Sequence, residues 1–203
     1  MPERRPHNTD GRIARGERTR EAIVEAHSSL LRDGVLRPTG KVIAERAGIS
    51  LRTLWLNFKD LEALFVATTA YWQEADLALR EEIDAGQSLP DRIDSYIRQR
   101  VRRLEHLAPA ARSAALGEPF SAALARSRAV HVRRVSDDID LAFGPELAAA
   151  GADRDALAKA LFVAGSWPSW SSLRDDWQLD VPTATGVLRH TLTALLATGA
   201  ATG

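Results

Sequence analysis

Residues 39–58, TGKVIAERAGISLRTLWLNF, decide the fold of this chain. Thr39 and Ser50 are residue types that accept a hydrogen bond from a backbone N–H at the start of a helix. The stretch therefore predicts a short helix over 41–47, a three-residue turn, and a second helix that begins at Leu51 and ends at residue 57 or 58. This spacing is typical of a helix-turn-helix.

The side chains of this stretch suit the two roles that a helix-turn-helix requires. Gly48 permits the turn, Ile49 fills the angle, and Leu54 and Phe58 point to one side because they are four residues apart. The opposite face presents Arg52, whose guanidinium can donate two hydrogen bonds to a guanine in the major groove. An ordinary corner between two bundle helices is the alternative.

The rest of the chain has helical periodicity and no alternating strand pattern. Apolar residues at three- and four-residue steps predict a first helix over about 16–32, and Gly- and Pro-rich breaks separate the later ones. The later helices are expected at about 60–84, 90–106, 109–116, 120–143, 153–176 and 182–198. Pro168 predicts a kink or a break near Trp167.

These elements predict an all-α protein with two domains. We expect a flexible basic arm over 1–15, an N-terminal three-helix helix-turn-helix domain over 16–64, and a C-terminal helical bundle over 65–203. The arm carries several arginines and lacks apolar periodicity. It is expected either to lie along DNA or to be a solvated tail.

Charge is distributed unevenly along the chain, although 27 Lys and Arg balance 27 Asp and Glu overall. Residues 1–60 contain 12 basic and 8 acidic side chains, whereas residues 61–203 contain 15 basic and 19 acidic ones. A basic N-terminal region on an acidic body indicates a polyanionic partner for that region alone.

Composition and missing motifs exclude several classes of protein. The chain has no Cys, which excludes disulfide scaffolds, cysteine-ligated zinc and thiol nucleophiles. It lacks the glycine-rich nucleotide loops, the Gly-x-Ser-x-Gly elbow and the His-Glu-x-x-His zinc motif, so neither enzyme nor cofactor is expected. No apolar run reaches the length of about 18 residues that spans a bilayer, which predicts a cytoplasmic protein without a membrane partner.

Two charged groups are interpreted as solvated surface. His131 with Asp137, Asp138 and Asp140 is the nearest approach to a metal cluster, but three acids within four helical residues cannot share one face, so no metal site is predicted. The arginines of residues 98–103 alternate with apolar residues around their helix and are expected to face solvent.

The helix-turn-helix stretch resembles the tetracycline-repressor-like (TetR) family of transcriptional regulators. The matching positions of the family pattern are Gly34, Thr39, Ile43, Ala44, Ala47, Gly48, Ile49, Ser50, Thr53, Leu54, Phe58 and Leu64. The resemblance implies a homodimer that binds a palindromic operator in double-stranded DNA and responds to a small-molecule effector, which the sequence does not identify. This chain departs from the pattern at three positions. It has Trp55 where the family usually has Tyr, Asn57 where the family has His or Tyr, and Leu61 where the family often has Lys.

The resemblance and the exposed face of the second helix nominate a set of DNA-binding residues. Leu51 and Arg52 are expected nearest the base edges, and Lys59 is expected to replace the Lys missing at Leu61. The full set is Thr39, Lys41, Leu51, Arg52, Thr53, Trp55, Asn57 and Lys59.

The body is expected to bind the effector and to dimerise. Candidates for an apolar pocket with polar groups are Phe65, Trp72, Tyr96, Arg103, His106, Phe120, Leu124, His131 and Phe162, although apolar and aromatic residues at helical spacing more often belong to the core. Candidates for the dimer interface, on two apolar helix stripes, are Leu157, Leu161, Ala164, Leu188, Leu192 and Leu195. These stripes could instead face the monomer core.

The sequence thus predicts a ligand-responsive DNA-binding regulator, most simply a repressor. Two alternatives stay open. One is a helical ligand-binding or interaction protein that no longer reads DNA, and the other is a helical enzyme or metal-binding bundle.

Overall fold

The computed structural model describes residues 9–199, and this part of the chain is helical and contains no strand. The predicted all-α class is confirmed. The helices are α1 (Thr9–Arg32), α2 (Gly40–Arg46), α3 (Leu51–Asn57), α4 (Leu61–Ala78), α5 (Leu89–Gly117), α6 (Ala122–Ala149), α7 (Arg154–Ala164), α8 (Trp167–Ser171) and α9 (Val181–Gly199). A π-helical turn, Ser172–Asp176, continues α8.

The described residues form two compact units. One contains the residues up to Glu74 together with Pro109–Ser127, and the other contains Ala75–Ala108 and the residues from Arg128 onward. We call them unit 1 and unit 2. Helices α4, α5 and α6 each contribute residues to both units. The functional boundary predicted between residues 64 and 65 stays a prediction.

Unit 1 contains the three-helix arrangement expected from the sequence. Its core joins α1, α2, α3 and the start of α4 through buried aliphatic and aromatic side chains. The central ones are Ile23, Leu30, Ile43, Leu54, Phe58 and Leu64. This core holds α3 so that its opposite face is exposed.

Helix α1 begins earlier than predicted, at Thr9, so residues 9–15 of the predicted arm are helical and residues 1–8 lie outside the described residues. No proline interrupts the chain between Thr9 and Arg32. Side chains also bond the helix backbone here, since the Thr19 hydroxyl donates to the Arg15 carbonyl at 2.9 Å. Glycines inside a helix cost only about 1 kcal/mol each, so Gly11 and Gly16 do not end it.

Unit 2 is a bundle in which α5, α6, α7 and α9 share one apolar core. One predicted break is wrong, because helix α5 continues through Pro109. The break predicted after residue 143 is present as a kink in α6, where Phe143 has non-helical backbone angles (φ −126°, ψ 22°) just before Gly144 and Pro145. Burial of Leu104 and Ala108, in the turn before Pro109, offsets the hydrogen bond that Pro109 removes. The break expected near Trp167 is confirmed by the extended backbone of Ser166.

Candidate nucleic-acid interface

Helices α2 and α3 begin at the capping residues predicted from the sequence. The Thr39 hydroxyl accepts from the Val42 N–H at 3.4 Å, and the Ser50 hydroxyl accepts from the Thr53 N–H at 3.1 Å. Between the helices, Gly48 has a φ of +67°, a left-handed conformation that glycine adopts without steric cost. Local chemistry therefore sets the angle between the two helices.

Helix α3 has one buried face and one exposed face. Leu54 and Phe58 are buried in the core of unit 1, whereas Leu51, Arg52 and Trp55 are exposed. Among the described residues, no side chain forms an ion pair with Arg52. Its guanidinium therefore keeps all its donors for an external partner.

The exposed face of α3 meets the start of α2 through an indole packed on a glycine. A β-carbon placed on Gly40 would lie 2.5 Å from Cζ2 of Trp55 and 3.5 Å from Cδ1 of Leu51. Only a residue without a side chain fits beneath the ring. Gly40 and Trp55 thus form one packing arrangement, in which the indole ring occupies the space that a side chain at residue 40 would fill.

We expect Gly40→Ser to displace the Trp55 ring while leaving unit 1 folded. The clash falls on the far end of an exposed side chain, which can rotate away, so the free energy of unfolding should change by less than about 1 kcal/mol. The measurement is the NMR resonance of the Trp55 indole N–H, assigned with Trp55→Phe. Gly16→Ser is the control, because a β-carbon there has no atom within 4 Å. An unmoved resonance in Gly40→Ser would contradict the packing.

The other predicted DNA-binding residues form hydrogen bonds or ion pairs within the protein. The Asn57 side-chain amide donates to the Thr53 carbonyl at 2.8 Å, and the Thr53 hydroxyl shares a hydrogen bond with Ser50 at 2.9 Å. Lys41 and Lys59 form only exposed ion pairs, with Glu45 at 3.9 Å and Asp60 at 3.7 Å. Exposed pairs are weak, so both ammonium groups can exchange these partners for phosphate.

Arg20, on α1, supports the end of α3. Its Nη1 donates to the Asn57 carbonyl at 2.8 Å, and its guanidinium lies 4.0 Å from the centre of the Phe58 ring. Arg46 similarly joins α2 to α1 through Ser29 and Asp33, each at 2.7 Å. These cations hold the helix-turn-helix together.

Of the predicted pocket residues in unit 1, three lie together and one does not. Phe65, Trp72 and Leu124 line a cavity of about 20 Å³, which has room for about one water molecule and not for an effector. Phe120 is 89% exposed, so its assignment to a pocket is wrong. It lies in a short 3-10 turn that turns its ring to the surface.

His27 was not among the predicted pocket residues, yet it lines the same cavity. Its Nδ1 is 2.8 Å from the Thr68 hydroxyl, and its ring stacks on Phe65 with centroids 5.0 Å apart. Burial lowers the His27 pKa to about 4, so the ring is neutral at pH 7. His27 follows the apolar Ile23 by four residues, so helical periodicity predicts that both side chains face the core.

In unit 2, the arginines predicted to be solvated include buried ones. Arg100 and Arg103 are buried, and Arg103 pairs with the carboxylates of Asp76 and Asp138. The interpretation of Asp138 as solvated is wrong for the same reason. Tyr96 lies on the same inner face of α5, because it precedes Arg100 by four residues and Arg103 by seven. This spacing in the sequence indicates that the two arginines share a face with a large aromatic residue.

The other pocket candidates of unit 2 are partly buried. His106 and His131 are half-buried, and Phe162 packs against the apolar core. Burial, followed by the charge of Arg100, lowers the His131 pKa to about 4. Because Arg103 already binds two carboxylates, it is not a free polar group for a ligand.

Most of the predicted dimer residues belong to the core of the protomer. Leu157, Leu161, Leu188 and Leu192 are buried in unit 2, so their assignment to contacts with a partner is wrong. The stripes face inward because α7 and α9 pack on each other and on the rest of the bundle. Ala164 and Leu195 are only partly buried, while Val163 and Val187 are exposed on the outer faces of the two helices.

The described residues contain no group of three acidic or histidine side chains that could hold a metal ion. Within residues 9–199, no helix combines the length and the apolar composition needed to cross a bilayer.

The fold is similar to that of a solved protein. The crystal structure of a transcriptional regulator from Rhodococcus sp. Rha1 aligns with a TM-score of 0.65, covering 90% of this chain and 96% of that chain, at 15% sequence identity. At this identity the likeness shows the fold alone. No family model matches the chain, and no curated protein matches its sequence.

Proposed function

We propose that the protein is a sequence-specific DNA-binding transcriptional regulator that acts as a homodimer on a palindromic operator. The observation that carries the proposal is the exposed face of α3, where Arg52 has no ion-pair partner within residues 9–199 and lies beside Leu51 and Trp55 on a capped and well-packed helix-turn-helix. The likeness in fold to a transcriptional regulator supports it. The proposal assigns the chain no catalytic role and no cofactor.

The exposed residues divide into base readers and phosphate binders. Arg52 reaches guanine O6 and N7, and Leu51 contacts a thymine methyl group. Lys41, Lys59, the hydroxyls of Thr39 and Thr53 and the indole N–H of Trp55 bind phosphates. Asn57 contributes the second N–H of its amide, since the first is bonded within α3.

A homodimer follows from the symmetry of the proposed operator, because two identical heads reading a palindrome require a two-fold axis. We propose that α7 and α9 form its interface. These are the two helices predicted from the sequence. The proposed contacts lie on their outer faces, where Val163 and Val187 are exposed and Ala164 and Leu195 are partly buried.

We propose that a small molecule controls repression by shifting the population between a DNA-competent and a DNA-incompetent state of the protein. A ligand that binds unit 2 changes DNA affinity only if it binds the DNA-competent and incompetent states with different affinities. Helices α4, α5 and α6 contribute residues to both units, so a change in unit 2 involves elements that continue into unit 1. We propose that the ligand-free state binds the operator.

Arg52→Ala tests the base-reading role. On the duplex recovered by selection from a random pool, the variant should lose about 1–3 kcal/mol of binding free energy and relax its preference at one base pair per half-site. Fluorescence anisotropy with the selected duplex and its single-base variants measures both effects. Arg98→Ala is the control, since Arg98 is exposed in unit 2. Equal affinity and base preference in Arg52→Ala and the wild type would contradict the role.

A further inference from the structure

Leu56 faces away from the core of unit 1, although it was not among the predicted DNA-binding residues. It is 73% exposed, whereas Leu54 and Phe58 on the buried side of the helix-turn-helix are 0% and 2% exposed. Leu56 follows Arg52 by four residues, so the two side chains are neighbours on the outer face of α3. The face that presents the arginine therefore also presents a large apolar group.

Leu56 is part of a larger apolar surface on α3. Leu51 is 42% exposed and Trp55 is 39% exposed, and both lie on the side of the helix that faces Gly40. Single exposed leucines are common on proteins, but here three large apolar residues lie within two turns of one helix. Leu51 precedes Arg52 and Leu56 follows it, so apolar groups flank the arginine along the helix axis.

The polar side chains of α3 can recognise few bases. Adenine is usually bound by Asn or Gln and cytosine by Asp or Glu, but α3 contains no Gln, Asp or Glu. Its amide residue, Asn57, already donates to the Thr53 carbonyl at 2.8 Å. Arg52 is the one charged residue of α3 and is suited to guanine. Hydrogen bonds from this helix therefore account for one kind of base.

The charges around the apolar surface favour DNA over an apolar protein surface as its partner. Helix α3 has no acidic residue, and Arg52 has no ion-pair partner within residues 9–199. Lys41 and Lys59, on either side of α3 in the sequence, form only exposed ion pairs. Cations that border an apolar surface complement a groove whose two edges are phosphate backbones.

Major-groove chemistry offers one partner for an exposed leucine. Thymine is the standard base that presents a methyl group in the major groove. Contact between a leucine and this methyl group removes apolar area of both from water, which is favourable. Two exposed leucines beside an arginine thus match a half-site in which thymines lie close to a guanine.

We propose that Leu56 is a second base-reading residue of α3, and that Leu56 and Leu51 each recognise a thymine methyl group near the guanine bound by Arg52. A helix rises 1.5 Å per residue, so Leu56 lies about 6 Å beyond Arg52 along the axis and its thymine is within about two base pairs of the guanine. This inference rests on the proposed function, because it names the base chemistry of the same DNA site.

Replacement of thymine by uracil removes only the methyl group and therefore tests the contacts. In the duplex selected by the full chain, the thymines of one half-site are replaced one at a time, and binding is measured by fluorescence anisotropy. At two positions the wild type should bind about fourfold more weakly, as expected for the loss of one buried carbon group. Uracil outside the half-sites should leave the affinity unchanged.

Leucine variants assign each methyl group to its side chain. Leu56→Ala should bind the thymine and uracil duplexes equally at one of the two positions, and Leu51→Ala at the other. Both variants should stay folded, because both leucines are exposed. Leu141→Ala is the control, since it removes a leucine that is 61% exposed on α6 and should keep the sensitivity to uracil at both positions.

The outcomes separate this inference from the proposed function. Equal binding of the thymine and uracil duplexes by the wild type, or selected half-sites without thymine, would overturn the inference and leave a sequence-specific DNA-binding protein. The same loss with uracil in the wild type and in Leu56→Ala would mean that the methyl group acts through the shape of the duplex, which would overturn the role of Leu56. The absence of any selected sequence would contradict the proposed function itself and this inference with it.

Discussion

Asp76→Ala should lower the free energy of unfolding by about 3–5 kcal/mol, because it leaves the Arg103 guanidinium buried with one of its two carboxylates missing. Asp76 and Arg103 are 1% and 2% exposed, so water cannot replace the lost partner. Both bonds of the pair are 2.8 Å long, which is the geometry of a bidentate Arg–carboxylate pair.

Urea unfolding followed by far-UV circular dichroism measures this loss. Asp140→Ala is the matched control, since Asp140 forms an exposed pair with Arg154 at 2.7 Å and should contribute no more than about 1 kcal/mol. The double variant Asp76→Ala, Arg103→Met removes both charges and should recover part of the stability. Equal losses in Asp76→Ala and Asp140→Ala would contradict the buried cluster.

Leu54→Ala should lower the free energy of unfolding by about 2–5 kcal/mol and weaken DNA binding with it. Leu54 is fully buried where α1, α2 and α3 meet, and truncation leaves a cavity in a small core that has few other contacts to replace it. The exposed face of α3 keeps its residues but loses the packing that orients them. Hydrogen exchange of the amides of α3 should therefore become faster.

Leu56→Ala is the control for this variant. Leu56 is on the same helix but 73% exposed, so its truncation should change the unfolding free energy by no more than about 0.5 kcal/mol. Hydrogen exchange read by mass spectrometry and urea unfolding can be compared in the same pair of proteins. Similar behaviour of the two variants would contradict the division of α3 into a buried and an exposed face.

The helix-turn-helix could be predicted from the sequence because its determinants are local. Thr39 and Ser50 cap helices that begin within three residues of them, and Gly48 adopts its left-handed conformation within the turn itself. The buried and exposed faces of α3 also follow from its 3.6-residue period. The packing of Trp55 on Gly40 could not be predicted, since it joins residues of two different helices.

The body was predicted less well because its determinants are distant in sequence. Asp76 and Arg103 are separated by 27 residues, and without their pairing an arginine-rich helix face looks solvated. The stripes containing Leu161 and Leu192 have the pattern of an apolar interface, but a periodic stripe does not reveal whether it faces its own core or a partner. Pro109 likewise predicts a break that tertiary packing overrides.

Selection of bound sequences from a random pool of duplex DNA tests the central claim most directly. The account predicts enrichment of a palindrome whose half-sites are about one helical turn, or a multiple of it, apart. A salt titration on the selected duplex should give a slope of log K against log salt near −5 if about six phosphates are neutralised per dimer. The absence of any enriched sequence at low salt, with the protein folded, would contradict the account.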